Sequence, residues 1–163
     1  MREILFRGKR IDNGEWVEGF LVKKADPLLG IMSSFILRQE FDNSCINGMP
    51  TILKSEISWY KVIPETVGQY TRLTDKHGKK IFEGDIIKQI FSLNGGERAV
   101  MSIIEYGISY AYSNVCGVCQ RFRDGSGISM LSVAHEGGIV YCEVIGNIHD
   151  NPELLKGENN DKA

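Results

Sequence analysis

Turn signals built around glycine cut this chain into short pieces, and this constrains its fold more than any other feature. They fall at Asn13-Gly14, Asp75–Gly78, Asn94-Gly95-Gly96, "RDGSG" (123–127) and "HEGG" (135–138). Between them lie runs of branched and aromatic residues, such as Trp16–Val22, Phe35–Leu37, Ile57–Ile63 and Ile139–Ile148. Such runs suit a pleated, half-buried surface. Runs this short between turn residues leave room for strands and not for long helices. Eighteen glycines against four prolines fit a chain of many tight turns, all-β or α+β.

The opening "EILFRGKRIDNGEWVEGFLVKK" predicts a hairpin about Asn13-Gly14, with a type I′ turn because both residues tolerate positive φ. Polarity changes every one or two residues along Glu15–Phe20, as on a strand with one face buried. "GIMSSFILRQE" predicts a further strand, and "FDNSCINGMP" a loop. Ile57–Ile63 reads as a strand ended by Pro64, the alternative being a short helix capped by Ser55. Pro64-Glu65 marks a boundary between a lobe over 1–65 and a second over 66–155. The polar residues 156–163 form a tail. In the second lobe, Asn94-Gly95-Gly96 predicts a hairpin, "ISYAYSNVCGVCQRF" one long or broken strand, and "IVYCEVIGNI" the last strand. Asn151 followed by Pro152 starts a short terminal helical turn. Closely spaced strands in 66–150 point to a small barrel or sandwich.

Charge and composition narrow the function. The net charge is −2, with 42% hydrophobic and 25% charged residues. This is a globular balance, not that of a general polyanion binder, whose affinity comes from clustered Lys and Arg. The start "MREILFRGKR" lacks the apolar run of a secretory signal, and no segment approaches the ~20 apolar residues of a membrane helix. The expected compartment is the cytoplasm. There Cys45, Cys116, Cys119 and Cys142 are expected as free thiols.

Several groups could carry chemistry, and each has a structural reading that outweighs it. Glu83 and Asp85 flank Gly84. As neighbours two apart on one strand they would share a face and could hold a cation or act as acid and base. Against this, Asp75–Gly78 makes a tight turn, Gly84 permits a bend, and Asp85 can accept backbone N–H groups. Cys116-Gly117-Val118-Cys119 has the spacing of half a zinc site, with Cys142 and His135 or His149 as remaining ligands. No second such pair exists, so inert thiols are expected. His135-Glu136 and His149-Asp150 read as turn and cap residues. Lys79-Lys80 and Arg121-Phe122-Arg123 are the only basic–aromatic clusters. Tyr106, Tyr110, Tyr112, Phe122 and Arg121 are where a nucleic-acid-binding barrel would place its stacking rings and cations. No catalytic, cofactor or metal residues are assigned.

Three blocks, "TVGQYT" (66–71), "DKHGKKIFEGDI" (75–86) and "VIGNIHDNPELL" (144–155), resemble the YopX family of phage and prophage proteins. The opening "REILFRGKRIDNGEWVEGF" fits that family's start. The family pattern more often has Gly after "QYT" and Asn before the turn glycine, where this chain has Arg72 and His77. The resemblance implies an α+β, mainly β fold of two small lobes, the second an SH3-like or other small β-barrel. Members of that family carry no established activity, so no catalytic, binding or cofactor residues are carried over. With no convergent catalytic set in the sequence, the expectation is a phage- or prophage-encoded accessory protein acting by contact with a host or phage protein. The alternative is a nucleic-acid-binding module on the barrel.

Overall fold

The computed structural model describes residues 4–25, 30–41, 45–46, 49–50, 55–93, 96–109, 115–123, 128–130 and 139–156. The chain is mainly β, and its tertiary contacts divide it into two compact units, Met1–Gln69 and Tyr70–Ala163. The described residues hold no α-helix, only 3-10 turns at Pro64–Thr66 and Pro152–Leu155. The helical component expected of an α+β chain is therefore not found among them. The branched and aromatic runs that might have formed it are all in strands.

The first unit is built from β1 (Phe6–Lys9), β2 (Trp16–Ala25), β3 (Met32–Phe41), the two-residue strands β4 (Cys45–Ile46) and β5 (Met49–Pro50), and β6 (Ser55–Val62). The segment expected as a loop at 41–50 thus carries a small ribbon, Cys45 opposite Pro50. β2 is long and is shared between two neighbours. Its first residues pair with β1, Lys9 opposite Trp16 to Phe6 opposite Gly19. From Phe20 on it pairs with β3. The change of partner comes at Gly19, where a Cβ would lie 2.1 Å from the Leu37 carbonyl oxygen. Only glycine lets the backbones approach this closely. β6 pairs with β3, and its end returns to the end of β1 through an Arg10–Val62 bridge. Val17, Ile36 and Val62 fill the inside of this curled sheet, with Phe6, Leu21, Tyr60 and Val67 against them.

The hairpin at Asn13-Gly14 forms, but not with a type I′ turn. Arg10 N–H donates to the Glu15 carbonyl at 2.8 Å and Gly14 N–H to the Arg10 carbonyl at 3.1 Å. Of the two turn residues only Gly14 has positive φ, +73°. The connection is longer than two residues, and Asn13 serves it through its side chain, whose Oδ1 accepts from Glu15 N–H at 3.0 Å.

The second unit comprises the rest of β7 (Gly68–Thr74), then β8 (Lys80–Phe82), β9 (Asp85–Leu93), β10 (Gly96–Ser109), β11 (Val115–Phe122), β12 (Ile128–Met130) and β13 (Ile139–Asn147). β9 to β13 make one antiparallel sheet in the order β12-β11-β10-β9-β13. This is an open sheet, not the closed SH3-like barrel expected for the lobe. Consecutive hairpins lay strands side by side, and no pairing joins β12 to β13 among the described residues. Leu93 faces Gly96 across the β9–β10 hairpin, while the turn residues Asn94 and Gly95 lie outside the described residues. The stretch expected as one long or broken strand over 108–122 is divided between two paired strands, Ser109 opposite Val115. Ile81, Ile87, Ile104, Cys142 and Val144 form the core here. Gln89, Ser102 and Gln120 are buried polar neighbours in the same sheet.

Candidate interaction surface

The acidic triplet is a turn. β8 ends at Phe82 and β9 begins at Asp85, so Glu83 and Gly84 lie between strands and the two carboxylates do not share a strand face. Asp85 is only 1% exposed. Its Oδ2 accepts the Phe82 backbone N–H at 2.8 Å, which closes the turn. Gly84 has φ +79°. Its N–H donates to the Ile104 carbonyl at 2.8 Å and its carbonyl accepts from Ile148 at 2.9 Å. The turn thereby ties β10 to the segment after β13.

Asp75 does similar work in the preceding turn. Its Oδ1 accepts N–H groups of His77 at 2.8 Å and Lys79 at 2.9 Å, and its Oδ2 that of Val144 at 3.2 Å. Burial by itself would raise this carboxyl, but the three N–H donors outweigh it and hold it below the usual carboxylate range. Lys76 N–H donates to the Cys142 carbonyl at 3.0 Å, and Lys76 Nζ pairs with Glu143 at 2.7 Å. His77 Nε2 lies 3.7 Å from Glu143. Gly78 supplies the positive φ, +80°, and His77 does not adopt it.

The last block is a third polar turn. Asn147 Oδ1 accepts from His149 and Asp150 N–H groups, both at 2.9 Å, and its Nδ2 donates to Asp150 at 2.9 Å. Asn151 stands at the start of the terminal 3-10 turn, as expected, without a side-chain cap bond. Its Oδ1 instead accepts from Asn147 N–H at 3.3 Å. His149 and Asp150 have the turn roles anticipated for them. His135 and Glu136 lie outside the described residues.

Cys116 and Cys119 both belong to β11, and the Cys116 side chain lies outside the described residues. Cys119 and Cys142 are buried free thiols. Burial, with Asp75 adding to it, pushes the Cys142 thiol up to about 11. Among the described residues no cluster of His, Cys, Asp and Glu is arranged to hold a metal. The basic–aromatic cluster is also changed by its surroundings. Arg121 is salt-bridged to Glu105, and Arg123 donates to the Leu154 carbonyl at 3.2 Å. Tyr106 is exposed. Tyr110 and Tyr112 lie outside the described residues, as does the Phe122 side chain.

The first unit presents what sequence reading did not find. Alternation along β2, β3 and β6 sends Val17, Ile36 and Val62 inward, and an equally apolar set outward. Phe20, Leu37 and Trp59 stand in one row across the three strands. Val22 and Phe35 form the next row, and Ile57 lies beyond Trp59. Phe20 is 59% exposed, Ile57 62% and Trp59 54%. The Phe35 and Trp59 rings meet edge to face, with centroids 6.0 Å apart. A contiguous exposed apolar face of this kind marks a contact surface more often than a chance of composition.

A family model described as YopX protein matches residues 5–156. The chain belongs to the YopX family. Its fold is similar to that in the crystal structure of protein EF1440 from Enterococcus faecalis. The two are 26% identical, with a TM-score of 0.53, and the match covers 96% of this chain and 100% of that one. No curated protein matches it. In this YopX protein two of the three recognisable blocks, 75–86 and 144–155, contain the turns just described. The Asp75, Asp85 and Asn147 side chains in them accept backbone N–H groups, so these residues mark architecture.

Proposed function

We propose that this YopX protein is a non-enzymatic accessory protein, encoded by a phage or prophage, that acts in the bacterial cytoplasm by binding another protein. The observation carrying this reading is the outward apolar face of β2, β3 and β6. Phe20, Ile57 and Trp59 hold large apolar side chains in water at a cost that docking would recover, roughly 25 cal/mol for each Å² covered. Aromatic anchors at the centre of such a patch are what binding hot spots are made of. Of the carboxylates that could have served a reaction, Asp75, Asp85 and Asp150 accept hydrogen bonds within turns. No helix among the described residues is long and apolar enough to cross a membrane, in keeping with a cytoplasmic site of action.

The test is affinity capture on tagged protein from induced host cells, run beside a Phe20→Ser/Trp59→Ser double variant. The reading expects one protein retained in stoichiometric amount by the parent and lost by the variant. Equal retention by both would remove this face from the function. Nuclease-sensitive material in the eluate would move the reading to nucleic acid.

A further inference from the structure

We infer that the outward face of β2, β3 and β6 docks a protein segment that is apolar at its centre and acidic at one end. This deepens the proposed function and rests on its reading that the protein acts by protein contact. The argument is charge complementarity. Strand alternation puts Lys24 on the same face as Phe20 and Val22, and Lys61 on the same face as Trp59 and Ile57. Lys61 stands opposite Phe35, and Lys24 opposite Ser33, one row further along. Both lysines are exposed. They are the only charged residues at the outward positions of the three paired strands from Phe20 to Lys24, Ser33 to Gln39 and Ile57 to Lys61. The chain as a whole carries −2, so this face runs against the protein's own charge balance. An apolar patch with two cations at one end fits a partner whose Asp or Glu residues lie beside its apolar anchors.

The other occupants fit less well. A second copy of this chain would bring one carboxylate to the same face, Glu18, which stands opposite Arg7 of β1, against two lysines. A single-stranded nucleic acid needs rings close enough for successive bases and a track of cations. Here Phe20 and Trp59 are separated by the intervening strand, about 10 Å at the usual strand spacing. Leu37, which cannot stack, lies between them.

The test uses the full chain and four fluorescent probes. Three are short peptides with the same Leu and Phe pattern, in which the remaining positions are Glu, Lys or Ser. The fourth is oligothymidylate. Anisotropy titrations are expected to rank the Glu peptide first, and Lys24→Glu/Lys61→Glu is expected to weaken it about tenfold or more. Both lysines are exposed, so the double variant should keep its thermal midpoint and is compared at matched folding. Equal binding of the Ser or Lys peptide overturns the acidic partner while leaving protein docking intact. Preferred binding of oligothymidylate, relieved by the same variant, overturns it in favour of nucleic acid. If no peptide binds while affinity capture still retains a protein through Phe20 and Trp59, the acidic-partner inference fails alone. If capture shows no dependence on this face, both readings fail.

Discussion

Asp75 Oδ2 accepts a hydrogen bond from the Val144 backbone N–H, joining positions 69 residues apart. The same carboxylate closes its own turn through His77 and Lys79. One side chain therefore sets a local turn and docks it on β13. Replacing it by alanine leaves three N–H groups without their acceptor. Hydrogen bonds to a charged group contribute about 1.5–3 kcal/mol each, and neighbouring ones are not additive. Asp75→Ala should lower stability by about 2–4 kcal/mol, read as a lower urea midpoint at unchanged m-value. Because the carboxyl is held below its unfolded value, its contribution is present above the unfolded value and fades as pH falls through the folded one. The acid limb of the stability curve should therefore flatten in the variant.

Cys142 gives the opposite limb. Its thiol is raised from 9.0 to about 11 in the folded chain. The unfolded chain loses this proton first as pH rises, so stability is full below about 9 and declines towards about 11. The displacement corresponds to at most about 2–3 kcal/mol. A Cys142→Ala variant will be less stable at neutral pH from lost packing, and its fall between pH 9 and 11 should be shallower than the parent's. Parallel curves would mean that Cys142 does not govern this limb. Thiol-reagent labelling gives a second check, since the buried thiol should react only as fast as the unit opens.

The turn at Gly84 separates two contributions that single substitutions can isolate. Asp85→Ala orphans the Phe82 N–H in a buried site, at a cost of about 1–3 kcal/mol. Asp85→Asn keeps an acceptor and should recover part of it. Gly84→Ala must hold φ +79° with a Cβ, at about 1–2 kcal/mol. Thermal midpoints of the three variants give the order directly. An unchanged midpoint in Asp85→Ala would argue that the carboxylate is kept for a ligand.

The strands of this protein were legible in its sequence because period-two patterning and glycine turns are local signals. Ile57–Ile63 and Ile139–Ile148 could be read as strands from composition alone. What could not be read was which strands meet. The Asp75–Val144 bond spans most of the second unit, and nothing local to Asp75 distinguishes it from an ordinary turn aspartate. The open sheet was missed for the same reason, since a run of hairpins looks alike whether or not its edges join. The outward face was hidden differently. Val17, Leu21, Phe20 and Val22 are alike in hydrophobicity, so alternation separated two apolar sets without telling which one solvent would meet. The candidate acids were readable as turn residues because an aspartate beside glycine has a short-range reason to be there.

Arg72 offers the last test, and its expected sign is a gain. It is the one described non-glycine residue with positive φ, +69°. It sits in the irregular stretch of β7 between Tyr70, paired with Phe82, and Thr74, paired with Lys80. An L-residue there carries about 1–2 kcal/mol of left-handed strain. Its side chain is exposed, so replacing it removes little packing. Arg72→Gly relieves the strain but loosens the unfolded chain, which takes back about 0.4–1 kcal/mol. The net expectation is a stabilisation of about 0.5–1 kcal/mol, a rise of a few degrees at most in Tm. Arg72→Ala keeps the strain and should change little, and Arg72→Val should be worse than either. If Arg72→Gly lowered the midpoint, the strain would not be what this position contributes. The arginine would then be held there by a contact that outweighs the conformation, and β7 would be the place to look for it.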